Sequence, residues 1–497
     1  MIRSRFTLLS LLLSVLASPC LRAGEDAHTG PFAGAQPVPA DYAAGFNSIT
    51  EAESEQILKT LVEGEMKGRG TGQEGYLKAA KWFASQLEAN GFQPAGDNGT
   101  WFQYVPFIRM NTVPDKCQFC VDSTVCVKGD QLGITTWSGA FDMAVPVTFA
   151  ILGETKPEIA EGACAGRLLV VQGRGRVVPE DAWILKAKPA CVLIVQEDSR
   201  VRNEAVNQSE QTPSAYPAAM VIRTAANALA AACGQPAEFF AGGEIKESKL
   251  VQADKTVDSH LVVEREAVDM PNVVGWYPGS DKAVANQHVI VGAHLDHLGV
   301  QRGELFPGAD DNGSGSSAIL QVAKAIHANP VKPRRSVLLM AFCAEERGLL
   351  GSKYYVQHPL KPLSDVVCML NIDMIGRDEE AAGEPAENNR NTIHLVGSKD
   401  HSSKMHALVE DANKHVGFVF EYDEEDRVDG RSDHASFSNQ GIPVAFLFGG
   451  FNPYYHQTTD TMKGINFSKI ANAARLYYLA LMSAAEHGPL EKDLVKK

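Results

Sequence analysis

Short apolar runs alternate with longer segments of helical period after residue 256. The helical segments, such as 315–328 and 467–487, place apolar residues three or four positions apart. The runs that we predict as buried strands include residues 288–293, 335–342, 366–372 and 443–448. Nearly continuous apolar strands are typical of a sheet that is covered on both faces. The pattern therefore predicts the α/β fold class, with a mostly parallel central sheet flanked by helices.

Two stretches earlier in the chain depart from this alternation. Residues 44–139 begin with a helical pattern, whereas residues 140–255 hold short β-rich runs and no concentration of Asp, Glu and His. We predict that 140–255 form an inserted, mostly β domain between the two parts of one catalytic unit, 44–139 and 256–497. Residues 24–43 are rich in Gly, Pro and Ala and are typical of a linker.

The first 23 residues have the pattern of a secretory signal peptide. Arg3 and Arg5 precede an apolar run over residues 6–17, and small residues follow up to Ala23. An N-terminal membrane anchor is the alternative, but the run is shorter than the roughly 20 residues that cross a bilayer. We therefore predict a secreted or periplasmic protein from which residues 1–23 are removed.

The composition restricts the partners of the protein. Its 497 residues include 46 Lys and Arg against 60 Asp and Glu, which gives a formal net charge of −14. An acidic chain argues against nucleic acid as a partner, because phosphate binding needs clustered Lys and Arg. Nothing after residue 30 approaches the length of a bilayer-spanning run, so we expect no membrane association after signal cleavage.

Eight cysteines follow the predicted signal peptide. Three of them, Cys117, Cys120 and Cys126, lie close together, and an even count in an exported protein permits disulfides. A single Cys-x-x-Cys without a second such pair is weak support for a structural zinc site. We therefore expect a local disulfide among these three cysteines.

Acidic and imidazole side chains follow the predicted strands. Ligands of an open α/β sheet bind beyond the carboxyl ends of its strands, so these side chains are expected to converge. Converging carboxylates are costly to bury unless a cation neutralises them. Imidazole and carboxylate donors without a thiolate suit zinc, with cobalt or manganese as alternatives. A pair of metal ions needs one bridging carboxylate and about two further ligands each, so five donors are enough. The donors are His294, Asp311, Glu345, Glu346, Asp373 and His456.

Five motifs contain these donors. They are His294-x-Asp296, Gly308-Ala-Asp-Asp311-Asn-Gly-Ser-Gly315, Phe342-Cys-Ala-Glu345-Glu346-Arg-Gly-Leu-Leu-Gly-Ser352, Asn371-Ile-Asp373-Met-Ile-Gly376 and Tyr455-His456. Together they resemble the M28 family of zinc peptidases, loosely over residues 48–137 and well over 256–485. The insert at 140–255 resembles the protease-associated (PA) domain that this family often carries at that place.

The resemblance implies a role for each donor. Asp311 would bridge two zinc ions, His294 and Asp373 would complete the coordination of one, and Glu346 and His456 that of the other. Glu345 would be the general base for a hydroxide that bridges the metals. Neighbouring side chains in extended backbone point in opposite directions, which is why only one of the two adjacent glutamates is expected to coordinate metal.

Four further residues near the motifs have implied supporting roles. Asp296 is expected to accept the second imidazole N–H of His294 and fix its tautomer. Tyr455 is a candidate hydrogen-bond donor to the oxyanion, with a place in the pocket wall as the alternative. Asp433, in the motif Arg-Ser-Asp-His, is expected to support the site. We predict that His297 is solvated or lies behind the ligands.

The implied activity is that of an exopeptidase acting on peptides, most closely an aminopeptidase. A carboxypeptidase of the glutamate-releasing type is one alternative, and it would need Arg or Lys to hold a free carboxylate. A non-catalytic binding protein of the same fold is another, although the complete donor set argues against it. The sequence does not predict the oligomeric state.

Overall fold

The computed structural model describes residues 30–134, 138–154, 159–174, 177–197, 201–208, 216–243, 245–301, 303–380, 385–422 and 428–493. The predicted signal peptide at residues 1–23 lies outside these ranges, so export stays a prediction. No helix among the described residues is both long enough and apolar enough to cross a lipid bilayer.

The strands fall into two large sheets and one short hairpin. In chain order they are β1 (Gln93–Pro94), β2 (Phe102–Thr112), β3 (Gln118–Val121), β4 (Thr124–Lys128), β5 (Leu132–Gly133), β6 (Phe141–Leu152), β7 (Leu168–Gly173), β8 (Cys191–Gln196), β9 (Glu204–Gln208), β10 (Ala218–Ile222), β11 (Lys249–Leu261), β12 (Val263–Tyr277), β13 (His288–His294), β14 (Gly299–Gln301), β15 (Glu304–Phe306), β16 (Ser336–Phe342), β17 (Val366–Asp373), β18 (Thr392–Val396), β19 (Val419–Glu421) and β20 (Val444–Phe448).

The helices cover the faces of these sheets. They are α1 (Ala43–Ser48), α2 (Glu51–Val62), α3 (Glu74–Ala89), α4 (Ala182–Ala187), α5 (Arg223–Ala232), α6 (Gly315–Ala328), α7 (Leu350–Gln357), α8 (Ser398–His401), α9 (Ser403–Asn413), α10 (His434–Ser438) and α11 (Phe467–His487).

The first sheet has the order β19-β18-β20-β17-β13-β16-β12-β2-β9, with β1 paired to β12. Its centre, β20-β17-β13-β16, is parallel, and the strands that join it on either side, β18 and β12, pair with it in antiparallel fashion. Nearly every residue of the four central strands is buried, as their continuous apolar sequences require in a sheet with helices on both faces. The predicted α/β fold with a parallel centre is confirmed.

One large core lies between this sheet and the helices on one face. Helix α2 contributes Ile57, Leu58 and Leu61, which lie three or four positions apart and are all buried. The helix begins after Thr50, whose hydroxyl accepts the N–H of Glu53 and so satisfies one free donor of the first turn. Helix α11 is buried along most of its length in the same core.

The second sheet has the order β4-β3-β11-β6-β7-β8-β10-β5, with α4 and α5 packed against it. It runs from Gln118 to Leu261, whereas the predicted insert began at residue 140 and ended at 255. The difference arises because β3 pairs with β11, so the strands before residue 140 close one side of this sheet. Within the same stretch, β9 pairs with β2 and extends the first sheet instead. The assignment of this unit to PA domains stays a prediction.

The predicted local disulfide is wrong. Cys117, Cys120 and Cys126 are free thiols, as are the other five cysteines among the described residues. The sulfur of Cys117 instead accepts the backbone N–H of Val262 at 3.3 Å, where β11 turns into β12. These cysteines therefore pack as small apolar side chains.

Candidate metal centre

The predicted donors meet at the carboxyl edge of the four parallel strands. His294 and Asp373 are the last residues of β13 and β17. Glu345 follows β16 in a short 3₁₀ turn, and His456 lies in the loop after β20. Asp311 lies in the loop that leads into α6. Parallel strands deliver these five side chains to one place because their carboxyl ends share one edge.

The carboxylate of Asp311 lies between two groups of donors. Its Oδ1 is 3.4 Å from Nε2 of His294, and its Oδ2 is 3.1 Å from Nε2 of His456. The same nitrogen of His294 lies 3.1 Å from Oδ1 of Asp373. Nε2 of His456 also lies 3.1 Å from Oε2 of Glu346. The pairs His294–Asp373 and Glu346–His456 therefore flank one shared carboxylate.

His297 lies beside this site, which agrees with the second of its two predicted places, behind the ligands, and not with a solvated side chain. The ring is buried, and its Nδ1 lies 2.8 Å from Oε1 of Glu346 and 3.6 Å from Oδ2 of Asp311. Together these three side chains form a group whose donor atoms lie within 4.8 Å of one another. The sequence left open whether His297 is solvated or lies behind the ligands.

Asp296 holds the site together through its carboxylate. Oδ1 accepts the backbone N–H of Glu345 at 3.0 Å, and Oδ2 accepts the hydroxyl proton of Thr71 at 2.8 Å. Nδ1 of His294 contacts the backbone oxygen of Asp296 at 3.0 Å, whereas the carboxylate is 3.9 Å away. The predicted contact with His294 thus exists, but through the main chain, since the carboxylate is engaged with Glu345 and Thr71.

The Arg-Ser-Asp-His motif supports the site mainly through Ser432. Its hydroxyl donates to Oδ2 of Asp373 at 2.8 Å and accepts the side-chain N–H of Asn371 at 2.9 Å. Asp433 is fully buried nearby, and burial raises the pKa of its carboxyl to about 7. His434 contacts the backbone oxygen of Asp429 instead. The hydroxyl that orients Asp373 was not singled out from the sequence.

Tyr455 and Tyr454 face different surroundings. The ring of Tyr455 stacks on His456 at 3.8 Å between centroids and lines a pocket over the donors. Its hydroxyl accepts a 3.4 Å contact from Nη2 of Arg431. Tyr454 is exposed, with the Arg377 guanidinium 4.3 Å from its ring centroid. Of the two tyrosines, Tyr455 is therefore the one beside the donors.

The rest of that pocket is largely apolar. It opens over Glu345, Glu346 and Asp373. Its apolar lining consists of Met374, Val428, Phe446, Phe448 and Phe451. The pocket thus joins a cluster of charged donors to a surface suited to an aliphatic or aromatic group.

Arg69 fixes the loop that carries His297, and the sequence analysis missed it. Its buried guanidinium donates to four backbone oxygens at 2.7–3.0 Å, and burial lowers its pKa to about 10. The acceptors belong to Leu61, Leu295, Pro307 and Gly308. A buried arginine that satisfies this many carbonyls ties α2 to the segments before and after His297.

Asp460 and Asp310 connect the loops of three donors. Asp460 accepts the backbone N–H groups of Asp310 and Asp311 and is paired with Arg377 at 3.1 Å. Asp310 accepts the N–H of Gly376 and the amide of Asn452. Burial, followed by the charge of Asp460, raises the pKa of Asp310 to about 7. The loops of Asp311, Asp373 and His456 are therefore cross-linked by buried carboxylates.

The donor cluster buries several carboxylates close together, which favours a bound cation. Burial raises the pKa of Asp311, and the charge of Glu346 raises it further. Burial also raises the pKa of Glu345 well above its ordinary value. Burial alone would raise the pKa of Glu346 too, but His297 and His456 hold it well below the ordinary range. Buried nitrogen and oxygen donors with an excess of carboxylates fit divalent metal ions of the zinc type.

The fold and the donor set define an α/β protein with a buried metal-binding centre of imidazoles and carboxylates. Residues 272–481 match the sequence model of Peptidase family M28.

Curated relatives match about two fifths of the chain. Leupeptin-inactivating enzyme 1 of Streptomyces exfoliatus is 32% identical over 216 residues, which are 39% of this chain and 44% of that protein. Aminopeptidase YwaD of Bacillus subtilis is 30% identical over 220 residues, 42% of this chain and 44% of the relative. The match thus spans less than half the length of these two relatives.

Solved structures show the same fold over nearly the whole chain. An aminopeptidase from Aneurinibacillus sp. strain AM-1 superposes with a TM-score of 0.59 at 20% identity, covering 92% of this chain and 98% of the other. A zinc aminopeptidase from Bacillus subtilis gives a TM-score of 0.58 at 20% identity, covering 90% and 96%. At these identities the likeness establishes the fold.

Proposed function

We propose that this protein is an exported zinc-dependent aminopeptidase that removes apolar N-terminal residues from peptides. The observation that carries the proposal is the position of Asp311, whose two carboxylate oxygens face His294 and His456 separately. A carboxylate shared in this way suits two adjacent metal ions. The names of the similar proteins add support, since two of them are aminopeptidases and one solved structure is a zinc aminopeptidase.

His294, Asp311 and Asp373 would hold one zinc ion, and Asp311, Glu346 and His456 the other. Bound there, the two ions would lower the pKa of a water molecule and polarise the peptide carbonyl.

Glu345 is the proposed general base. Its carboxylate lies with His294 and Asp373, its donor atoms within 4.8 Å of theirs, and Asp296 anchors its backbone N–H. Burial favours its protonated form in the absence of metal, so this carboxylate is suited to receive a proton. Glu345 would take a proton from water during attack on the carbonyl and deliver it to the leaving amine. Tyr455, beside His456, is the proposed donor to the developing oxyanion.

The apolar pocket supports the proposed substrate class. Met374, Phe446, Phe448 and Phe451 would receive an aliphatic or aromatic side chain of the N-terminal residue. The protonated α-amine would lie beside the acidic cluster, where carboxylates stabilise a positive charge. Blocking that amine should therefore weaken transition-state binding.

The test compares leucine p-nitroanilide with its N-acetylated form on zinc-loaded protein, together with the metal content. We expect about two zinc ions per chain and a loss of at least about tenfold in kcat/KM on acetylation, equal to about 1.4 kcal/mol. Cleavage of neither anilide, together with cleavage of N-acetylated peptides that carry a free C-terminus, would instead favour a carboxypeptidase. Folded protein without zinc affinity would favour a binding protein.

A further inference from the structure

A second cavity lies on the other side of the turn that carries Glu345 and Glu346. Its volume is about 460 Å³, large enough for several peptide atoms. It is lined by the first residues of α3, by Arg109 of β2, by the segment 201–204, by β14 and by Arg347. Residues 201–203 precede β9, which extends the first sheet, and Glu204 is the first residue of that strand.

Three parts of the cavity lining are close in sequence to residues of the metal centre. Arg347 follows Glu346 in sequence, and Gly72 follows Thr71, which donates to Asp296. Val300 lies three residues after His297, and its N–H and C=O are both bonded to the side chain of Gln73 at 2.9 Å. Arg347 is two residues from Glu345 in the chain, and an extended residue spans at most about 3.3–3.6 Å, so this part of the lining lies close to the proposed base.

Three arginines line the cavity, Arg109, Arg202 and Arg347, together with Glu74 and Glu204. Glu74 is paired with Lys78 at 3.1 Å. Arg109 lies 3.8 Å from Glu204 and 2.9 Å from Glu266, so the charges of Glu74, Glu204 and Arg109 are all engaged in ion pairs.

Two of the arginines differ in how they are held. Arg109 is fixed by Glu266 at 2.9 Å and by the backbone oxygen of Gly72. Arg347 is exposed and has no ion pair among the described residues. Arginine is the side chain best suited to bind a carboxylate through two parallel hydrogen bonds.

We propose that this cavity binds a carboxylate of the peptide on the leaving-group side of the scissile bond. The apolar pocket would hold the N-terminal side chain, and the arginines would hold the C-terminal carboxylate of a short peptide or an acidic side chain at that distance. The proposal rests on the aminopeptidase function proposed above. It makes short peptides with a free C-terminus preferred substrates and gives the segment 201–204 a role in selecting them.

The experiment measures kcat/KM for Leu-Gly-Gly and for its C-terminal amide with zinc-loaded protein. Wild-type protein should prefer the free acid by about tenfold or more, and Arg347→Gln should reduce this preference to less than about threefold. Arg202→Gln should reduce it as well. Arg390→Gln, an exposed arginine outside the lining, is the matched control and should keep the wild-type preference.

A second pair of substrates identifies the source of the carboxylate. Leu-Gly-Asp-amide against Leu-Gly-Asn-amide tests an acidic side chain with no C-terminal charge. The proposal is supported if either pair shows a ratio of kcat/KM well above one that Arg347→Gln removes. The pair that shows this ratio tells whether the bound carboxylate is the C-terminal one or that of a side chain. A wild-type ratio near one in both pairs, or a ratio that Arg347→Gln leaves unchanged, overturns the proposal. Failure to hydrolyse the amides at all would overturn the proposed function instead.

Discussion

The carboxyl ends of the parallel strands differ between the two sheets. In the first sheet they are followed by imidazoles and carboxylates, with His294 and Asp373 ending their strands. The second sheet also has four adjacent parallel strands, β6-β7-β8-β10, but these end in Leu152, Gly173, Gln196 and Ile222. Within the described residues, no group of three metal-binding donors lies on the second sheet.

The comparison separates the residues that stabilise the fold from the residues that could bind metal. Both sheets bury apolar strands against helices, so both are explained by hydrophobic burial. Only the first sheet also buries carboxylates at its edge, which costs free energy unless a cation or a hydrogen-bond network compensates. Substitutions at matched residue types in the two sheets should therefore have different consequences for metal binding.

The largest contrast is expected for Asp311→Asn against Asp258→Asn. Asp311 contacts donors of both proposed metal sites, so its loss should reduce bound zinc below one ion per chain and lower kcat/KM by about 1,000-fold or more. Asp258 is exposed on β11 and should change neither quantity. Metal analysis and kinetics on the same preparations test this. Normal zinc content in Asp311→Asn would show that the two sites do not share this carboxylate.

Glu345→Gln should separate catalysis from metal binding. The substitution removes the proposed base but preserves the size of the side chain, so kcat should fall by about 10²–10⁴-fold while about two zinc ions remain bound. The control is Glu161→Gln, since Glu161 forms an exposed ion pair with Lys188 near the second sheet. If Glu345→Gln loses zinc together with activity, the roles assigned to Glu345 and Glu346 are exchanged.

His297→Asn should have an intermediate effect. Nδ1 of His297 contacts Glu346 at 2.8 Å, and loss of a group that orients a ligand typically weakens metal affinity by about 10–100-fold. The matched control is His260→Asn, since His260 is an imidazole on β11 that contacts only surface carboxylates. Competitive zinc titration with a chelating indicator measures both variants. Wild-type affinity in His297→Asn would restrict this residue to a packing role.

The sequence predicted the donors because their positions follow from strand periodicity. His294 and Asp373 end recognisable apolar runs, and Asp311 and Glu346 lie in motifs that resemble a known family. The place of His297, solvated or behind the ligands, was left open because nothing local distinguishes a buried imidazole from a solvated one. Its partner, Glu346, is distant in sequence and approaches only through pairing of β13 with β16.

Features that depend on packing or on backbone conformation were not predictable. Arg69 binds carbonyls up to 239 residues away, and an isolated arginine between glycines carries no sign of this. Met374 and His456 adopt positive φ angles of 52° and 57° beside the donors, although neither residue type favours that conformation. The boundary of the second sheet was misplaced because pairing of β3 with β11 joins segments more than 130 residues apart.

The smallest and most discriminating contrast compares two arginines that bind backbone oxygens. Arg69→Met should lower the free energy of unfolding by about 3 kcal/mol and weaken zinc binding by about tenfold, because four carbonyls around the metal loop lose their donor. Arg167→Met should cost about 1–3 kcal/mol, since Arg167 donates to Val147, Ala253 and the hydroxyl of Thr148 in the second sheet. Denaturant unfolding of the zinc-free proteins measures the first quantity, and zinc titration of the folded variants measures the second. If Arg167→Met also weakened zinc binding, the two sheets would be energetically coupled. Residues of the second sheet would then contribute to metal binding as well as to the stability of the fold.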